Sequence, residues 1–143
     1  MRATRERVLI DTGPIVAILA PEDSYHQICK EALQTLDAPL YTCWPVITEA
    51  TYLLRYSPLA MQRLLGSLDG GWLDLLPLEA TEGKSVAAIL KRYENIQPQF
   101  ADAALVYLAG RERIETIFTL HRRDFSIYRT SRGRALRIFP QSE

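Results

Sequence analysis

Residues 8–20 read VLIDTGPIVAILA. Val8-Leu9-Ile10 is β-branched and aliphatic and predicts a short buried strand. Asp11-Thr12-Gly13-Pro14 ends it, with Asp or Thr suited to capping a helix and Pro to opening one. The helix then runs over Ile15–Ala20 and stops at Pro21. A carboxylate between a hydrophobic strand and a hydrophobic helix is costly to bury unless something pairs with it. Asp11 is therefore a candidate site residue as well as a candidate cap.

Outward from this stretch the pattern alternates. Asp23 or Ser24 caps a second helix to about Leu36, with Ile28, Ala32 and Leu36 at helical spacing. Leu40–Cys43 reads as a strand, and Pro45 opens a helix with Val46, Ala50, Leu53 and Leu54 on one stripe. Ser57-Pro58 restarts the pattern with Leu59, Leu64, Leu65 and Leu68, and Gly70-Gly71 stops it. Trp72–Leu78 is strand-like, with Pro77 confining it to an edge or an end. Thr81–Asn95 and Phe100–Ala109 read as helices, Thr116–Leu120 as a strand followed by a helical turn, and Leu136–Phe139 as a last strand. Strands separated by helices predict an α/β layer fold with a mostly parallel sheet. In such sheets the site lies beyond the carboxyl ends of the strands, where strand order reverses.

The 143 residues predict one domain spanning 1–143, with 48% apolar and 24% charged residues, ordinary for a globular chain. No apolar run reaches the roughly 18–20 residues of a membrane span. MRATRER at the start leads straight into the first strand, so no signal peptide is expected. Cys29 and Cys43 form no CxxC pair and are expected to be reduced core thiols of a cytoplasmic protein. Net charge is zero, but from Arg111 to Arg137 eight arginines face three acids, giving +5 and leaving −5 for the rest. Such a segment is a candidate phosphate-binding footprint, although on charge alone a solvated helix and tail is the preferred explanation.

Two further acids occupy apolar settings. Glu49, in WPVITEATYLL, has Val46 and Leu53 as helical neighbours, and Asp102, in QFADAALVYLAG, has Leu105, Val106 and Ala109. Asp102 also lies in the first turn of its helix, at the positive end of the dipole. Asp124, in TLHRRDF, falls just beyond a strand's carboxyl end. Each has an ordinary explanation alone: a cap, an ion pair with Arg55, a dipole acid, an exposed loop acid. Together they suggest one cleft, and clustered carboxylates require a cation to relieve their repulsion. Mg²⁺ prefers hard oxygen ligands. Zinc is disfavoured, because His26 and Cys29 have only Cys43 and His121 to complete a four-ligand set. Gly83-Lys84-Ser85 lacks the earlier glycine of a phosphate-binding loop, since position 78 is Leu.

VLIDTGPIVAIL, ITEATYLL, FADAALVYLA and FTLHRRDFSIYR, in that order across the chain, resemble the PIN-domain family, specifically the VapC-type toxins of toxin–antitoxin pairs. The resemblance implies a three-layer α/β/α sandwich with a parallel sheet of about five strands. It implies a Mg²⁺- or Mn²⁺-dependent ribonuclease leaving 5′-phosphate and 3′-hydroxyl ends, held inactive by a cognate antitoxin and often homodimeric. Asp11, Glu49 and Asp102 take the places of the family's first three acids. The late motif commonly reads T-x-D-x-x-D-F, and here Thr119 and Asp124 match while His121 stands where an acid is common. The resemblance thus implies a first metal position at Asp11 and Asp102 and leaves a second one open. Thr119 supports the site, and Arg122, Arg123, Arg129, Arg132 and Arg134 are candidates for RNA phosphates. Two other readings compete: a non-catalytic PIN-like RNA- or protein-binding module, and a phosphohydrolase, which would more commonly carry D-x-D after its first strand. Tyr25, Tyr52 and Tyr56 are either an antitoxin-receiving surface or core-edge residues.

Overall fold

The computed structural model describes residues 6–141, so the start of the chain, where no signal peptide is expected, lies outside the described residues. Strand β1 (Val8–Ile10) leads into α1 (Thr12–Leu19), then α2 (His26–Thr35) and β2 (Leu40–Thr42). Helices α3 (Trp44–Leu53) and α4 (Pro58–Gly66) lead to β3 (Leu73–Leu75), and α5 (Gly83–Arg92) and α6 (Phe100–Glu112) to β4 (Thr116–Phe118). A short α7 (Arg122–Ile127) precedes β5 (Arg137–Phe139). The five strands form one all-parallel sheet in the order β3-β2-β1-β4-β5. As Pro77 suggests, β3 is an edge strand.

This order places the site. The chain moves outward from β1 to β2 to β3, then returns to the other side of β1 for β4. Right-handed crossovers therefore send the helices before and after this return to opposite faces of the sheet. Helix α1 packs on α2 and α3, and α5 packs on α6. The reversal falls between β1 and β4, so a crevice opens beyond their carboxyl ends. Central strands buried on both faces read as continuous apolar runs, and all three residues of β1 and of β4 are buried.

Several predicted stripes are rotated. On α2 the buried residues are Cys29 and Ala32, whereas Ile28 is 53% exposed. On α3, Val46, Ile47 and Ala50 face inward and Leu53 is exposed; on α4, Ala60 and Leu64 are buried while Leu59 and Leu65 are exposed. These helices carry apolar residues on more than one side, so spacing alone does not identify which side meets the sheet. The Thr81–Asn95 segment divides into a 3₁₀ turn at Ala80–Glu82, α5, and a second 3₁₀ turn at Glu94–Ile96. The stop at Gly70-Gly71 has a steric basis: Gly70 has φ +78°, and a Cβ on Gly71 would come within 2.2 Å of the Ser67 carbonyl oxygen.

Both cysteines are free and buried, and burial pushes their thiols up to about 11 for Cys29 and about 12 for Cys43. They are protonated, inert core residues. Among the described residues no helix is long and apolar enough to cross a membrane.

Candidate metal centre

Asp11 follows the last residue of β1 and caps α1. Its backbone N–H donates to Phe118 O on β4 at 2.9 Å, extending the ladder by one step. Its carboxylate accepts from Thr12 N through Oδ1 at 2.8 Å and from the Thr119 hydroxyl through Oδ2 at 2.9 Å. Thr119 lies just past β4 and is fully buried, so this bond spans the point where strand order reverses. The same hydroxyl oxygen accepts from His121 N at 3.0 Å. One small side chain thus fixes both the first acid and the segment after β4.

Asp102 enters from α6. It occupies the third helical position, where its Oδ2 accepts from Gln99 N at 3.3 Å while the Gln99 side chain accepts from the Asp102 backbone in a reciprocal capping box. The Tyr128 hydroxyl, carried on a fully buried ring, sits 3.5 Å from the same Oδ2. Asp11 is 2% exposed and Asp102 9%. Burial raises the pKa of Asp11 above the ordinary carboxyl value. Burial first, and the Asp11 charge second, push Asp102 up to about 6.

Asp11, Asp102 and His121 each offer a ligand atom within 4.8 Å of the others, and His121 Nδ1 is 3.9 Å from Asp11 Oδ2. Among the described residues neither acid has a lysine or arginine ion-pair partner. The Thr12 hydroxyl, next to Asp11 in the chain, is buried with no hydrogen-bond partner among the described residues. Two buried carboxylates without a fixed cation, with an imidazole within reach, fit a hard divalent ion. Zinc at His26 and Cys29 finds no support. His26 Nδ1 is 2.7 Å from Ala17 O, and no such cluster forms among the described residues.

The other predicted residues divide. Glu49 on α3 is half-buried and its charge acts on both Asp11 and Asp102, placing it at the rim of the same cleft. Asp124, at the start of α7, is half-buried and acts on Tyr128 instead. Neither belongs to the three-residue group. Arg122 bonds the Pro140 carbonyl, and Arg123 on the same turn is exposed. The Arg129 guanidinium closes on the Ser126, Ile127 and Tyr128 carbonyls at the end of α7.

Arg132 and Arg134 lie apart from the acids. Arg132 Nε donates to Gly110 O near the end of α6 at 3.3 Å, and Arg134 pairs with Glu115 at 3.7 Å. Both line a cavity with Arg113, Ile114 and Glu115, before the start of β4 and so at the edge of the sheet opposite the acids. The basic segment is folded across two ends of the sheet, with Arg113, Arg132 and Arg134 at one and Arg122 and Arg123 on the turn that follows β4 at the other. Arg111 lies elsewhere again, in ion pairs with Glu82 at 2.8 Å and Glu112 at 2.9 Å.

Sequence reasoning did not assign His121, Tyr128 or Gln99 to the site. The position of His121 in the late motif was a signal; nothing local marked Tyr128. Beside the acids, a groove of about 680 Å³ runs between α3 and the start of α6, lined by Trp44, Glu49, Tyr52, Leu78, Gln99 and Phe100.

The five-stranded parallel sheet carries a carboxylate pair at its reversal point, and the PIN domain family model matches residues 8–131. The chain belongs to the PIN domain family. It is 32% identical over 135 residues to Ribonuclease VapC26 of Mycobacterium tuberculosis (strain ATCC 25618 / H37Rv), covering 93% of this chain and 100% of that one. Its fold resembles the crystal structure of Mycobacterium tuberculosis VapC20, described as a sarcin-ricin loop cleaving toxin. The TM-score is 0.68 at 15% identity, over 77% of this chain and 86% of that one.

Proposed function

We propose that the chain is a Mg²⁺- or Mn²⁺-dependent endoribonuclease and the toxin of a type II toxin–antitoxin pair acting in the cytoplasm. The observation that carries this reading is the meeting of buried Asp11 and Asp102 beside His121 at the crevice between β1 and β4. The family membership and the ribonuclease relative support it. Asp11 and Asp102 hold the cation, and Thr119 keeps the Asp11 carboxylate turned into the cleft. A divalent ion there supplies charge to polarise a phosphodiester oxygen and to acidify water. Glu49 at the rim orients the nucleophile. Asp124 lies toward the leaving oxygen and is the candidate for a second, weaker ion.

Substrate positioning falls to Arg122 and Arg123, the basic side chains at the start of α7. Such contacts hold phosphates without reading sequence. The exposed rings of Trp44, Tyr52 and Phe100 along the neighbouring groove suit unpaired bases, which stack on aromatic side chains. Tyr25, Tyr52 and Tyr56 are all exposed, with Ile28, Leu53, Leu59 and Leu65 nearby in sequence. This apolar area on α2, α3 and α4 supports a cognate antitoxin, a second copy of the chain, or both as cover.

The test is cleavage of a panel of structured RNAs with Mg²⁺, with Mn²⁺ and with chelator. Cleavage leaving 5′-phosphate ends, abolished by chelator, is expected. RNA binding without metal-dependent cleavage would favour a non-catalytic module instead. Replacing Arg122 and Arg123 together by Ala should lower the slope of log binding constant against log salt by about 1.4, at roughly 0.7 per phosphate contact on single strands. An unchanged slope removes that turn from the RNA path.

A further inference from the structure

We infer that His121 is a direct nitrogen ligand of the cation at Asp11 and Asp102, and that it shifts the centre's preference from Mg²⁺ toward first-row transition cations. The inference rests on the metal reading above. Its first ground is distance. Ligand atoms about 2.1 Å from an octahedral ion lie about 3.0 Å apart when adjacent and about 4.2 Å when opposite. His121 Nδ1 lies 3.9 Å from Asp11 Oδ2, and the three donors fall within 4.8 Å of one another. Small side-chain movements bring all three onto one ion.

The second ground is how the residue is held. His121 N donates to the Thr119 hydroxyl oxygen, and that hydroxyl donates to the very Asp11 oxygen that the imidazole faces. The backbone of His121 is therefore tied to the first carboxylate through a single buried threonine. Its ring is 63% exposed, so it can turn onto an ion without disturbing the core.

The third ground is donor chemistry. A third carboxylate at this position would give a hard, trianionic oxygen set, which suits Mg²⁺. An imidazole contributes no negative charge and a softer nitrogen, which suits transition cations in the order Mn²⁺ below Co²⁺ below Ni²⁺. The centre keeps two anionic ligands and exchanges the third for one that Mg²⁺ uses poorly.

The experiment uses Mn²⁺ and Mg²⁺ on the whole chain. Pulsed electron paramagnetic resonance of the Mn²⁺-loaded protein should show ¹⁴N coupling from a ligating imidazole, absent in His121→Asp. Calorimetric competition should show the ratio of Mn²⁺ to Mg²⁺ affinity falling about tenfold in His121→Asp. Bound Mn²⁺ without nitrogen coupling, or an unchanged ratio, overturns the inference and leaves the carboxylate centre standing. Failure of the unmodified protein to bind Mn²⁺ overturns the metal reading itself.

Discussion

Asp11→Asn should lower RNA cleavage by about a thousandfold or more while the protein stays folded. In the proposed centre the charge removed is one of the two that would hold the cation, and a metal's charge stabilisation of a phosphoryl transition state is worth several kcal/mol. At 1.36 kcal/mol per factor of ten, a loss of about 4 kcal/mol is about 10³ in rate. The fold should survive because asparagine caps helices as well as aspartate does. Its amide oxygen can still accept from Thr12 N, and the backbone bond to Phe118 O is untouched. Circular dichroism and single-turnover cleavage on the same sample check both halves. Retained activity in the folded variant would remove Asp11 from the chemistry.

Asp102→Asn should make the chelated protein more stable than wild type at pH 7, by up to about 3 kcal/mol. Burial, and next the Asp11 charge, raise the folded-state pKa of Asp102 from the ordinary 3.8 to about 6, so folding favours its protonated form. Below about 3.8 both states are protonated and the group exacts no penalty. As pH rises through the window to about 6, the unfolded state ionises first, and stability falls by about 1.36 kcal/mol per unit of pKa difference. The advantage of the variant should therefore shrink toward zero as pH falls to 4. Saturating Mn²⁺ should reverse the ranking at pH 7, since it binds only the wild-type carboxylate pair well. Denaturant melts at pH 4 and pH 7, with chelator and with Mn²⁺, read all four values. A variant less stable than wild type in chelator at pH 7 would contradict the strain assigned to this carboxyl.

Most of the fold was legible because its strands are short apolar runs bounded by Asp, Gly and Pro, and because strand–helix alternation leaves few topologies. Asp11 was legible for a sharper reason: it interrupts an apolar run at the carboxyl end of the first strand. The helical stripes were less legible. Ile28, Leu53, Leu59 and Leu65 follow helical spacing yet face outward, because periodicity gives a face and not its direction. The shape of the basic segment was hidden for a related reason. Arg122 and Arg134 are twelve residues apart in one charge cluster, but the turn at α7 and the return to β5 send them to opposite edges of the sheet. Tyr128 could not be read at all, since its role depends on α6 and α7 meeting in space. His121 was visible as a departure from a pattern, and only the distances made it a donor.

The placement of Asp11 on the central strand has one more consequence. Its amide belongs to the β1–β4 ladder at the centre of the sheet, where opening costs most, whereas Asp124 sits on a six-residue helix outside it. Amide exchange at Asp11 should thus follow whole-domain opening, while that at Asp124 follows local fraying. A carboxylate anchored in the central ladder keeps its position while the periphery frays, so the placement of Asp11 should persist through local opening around α7.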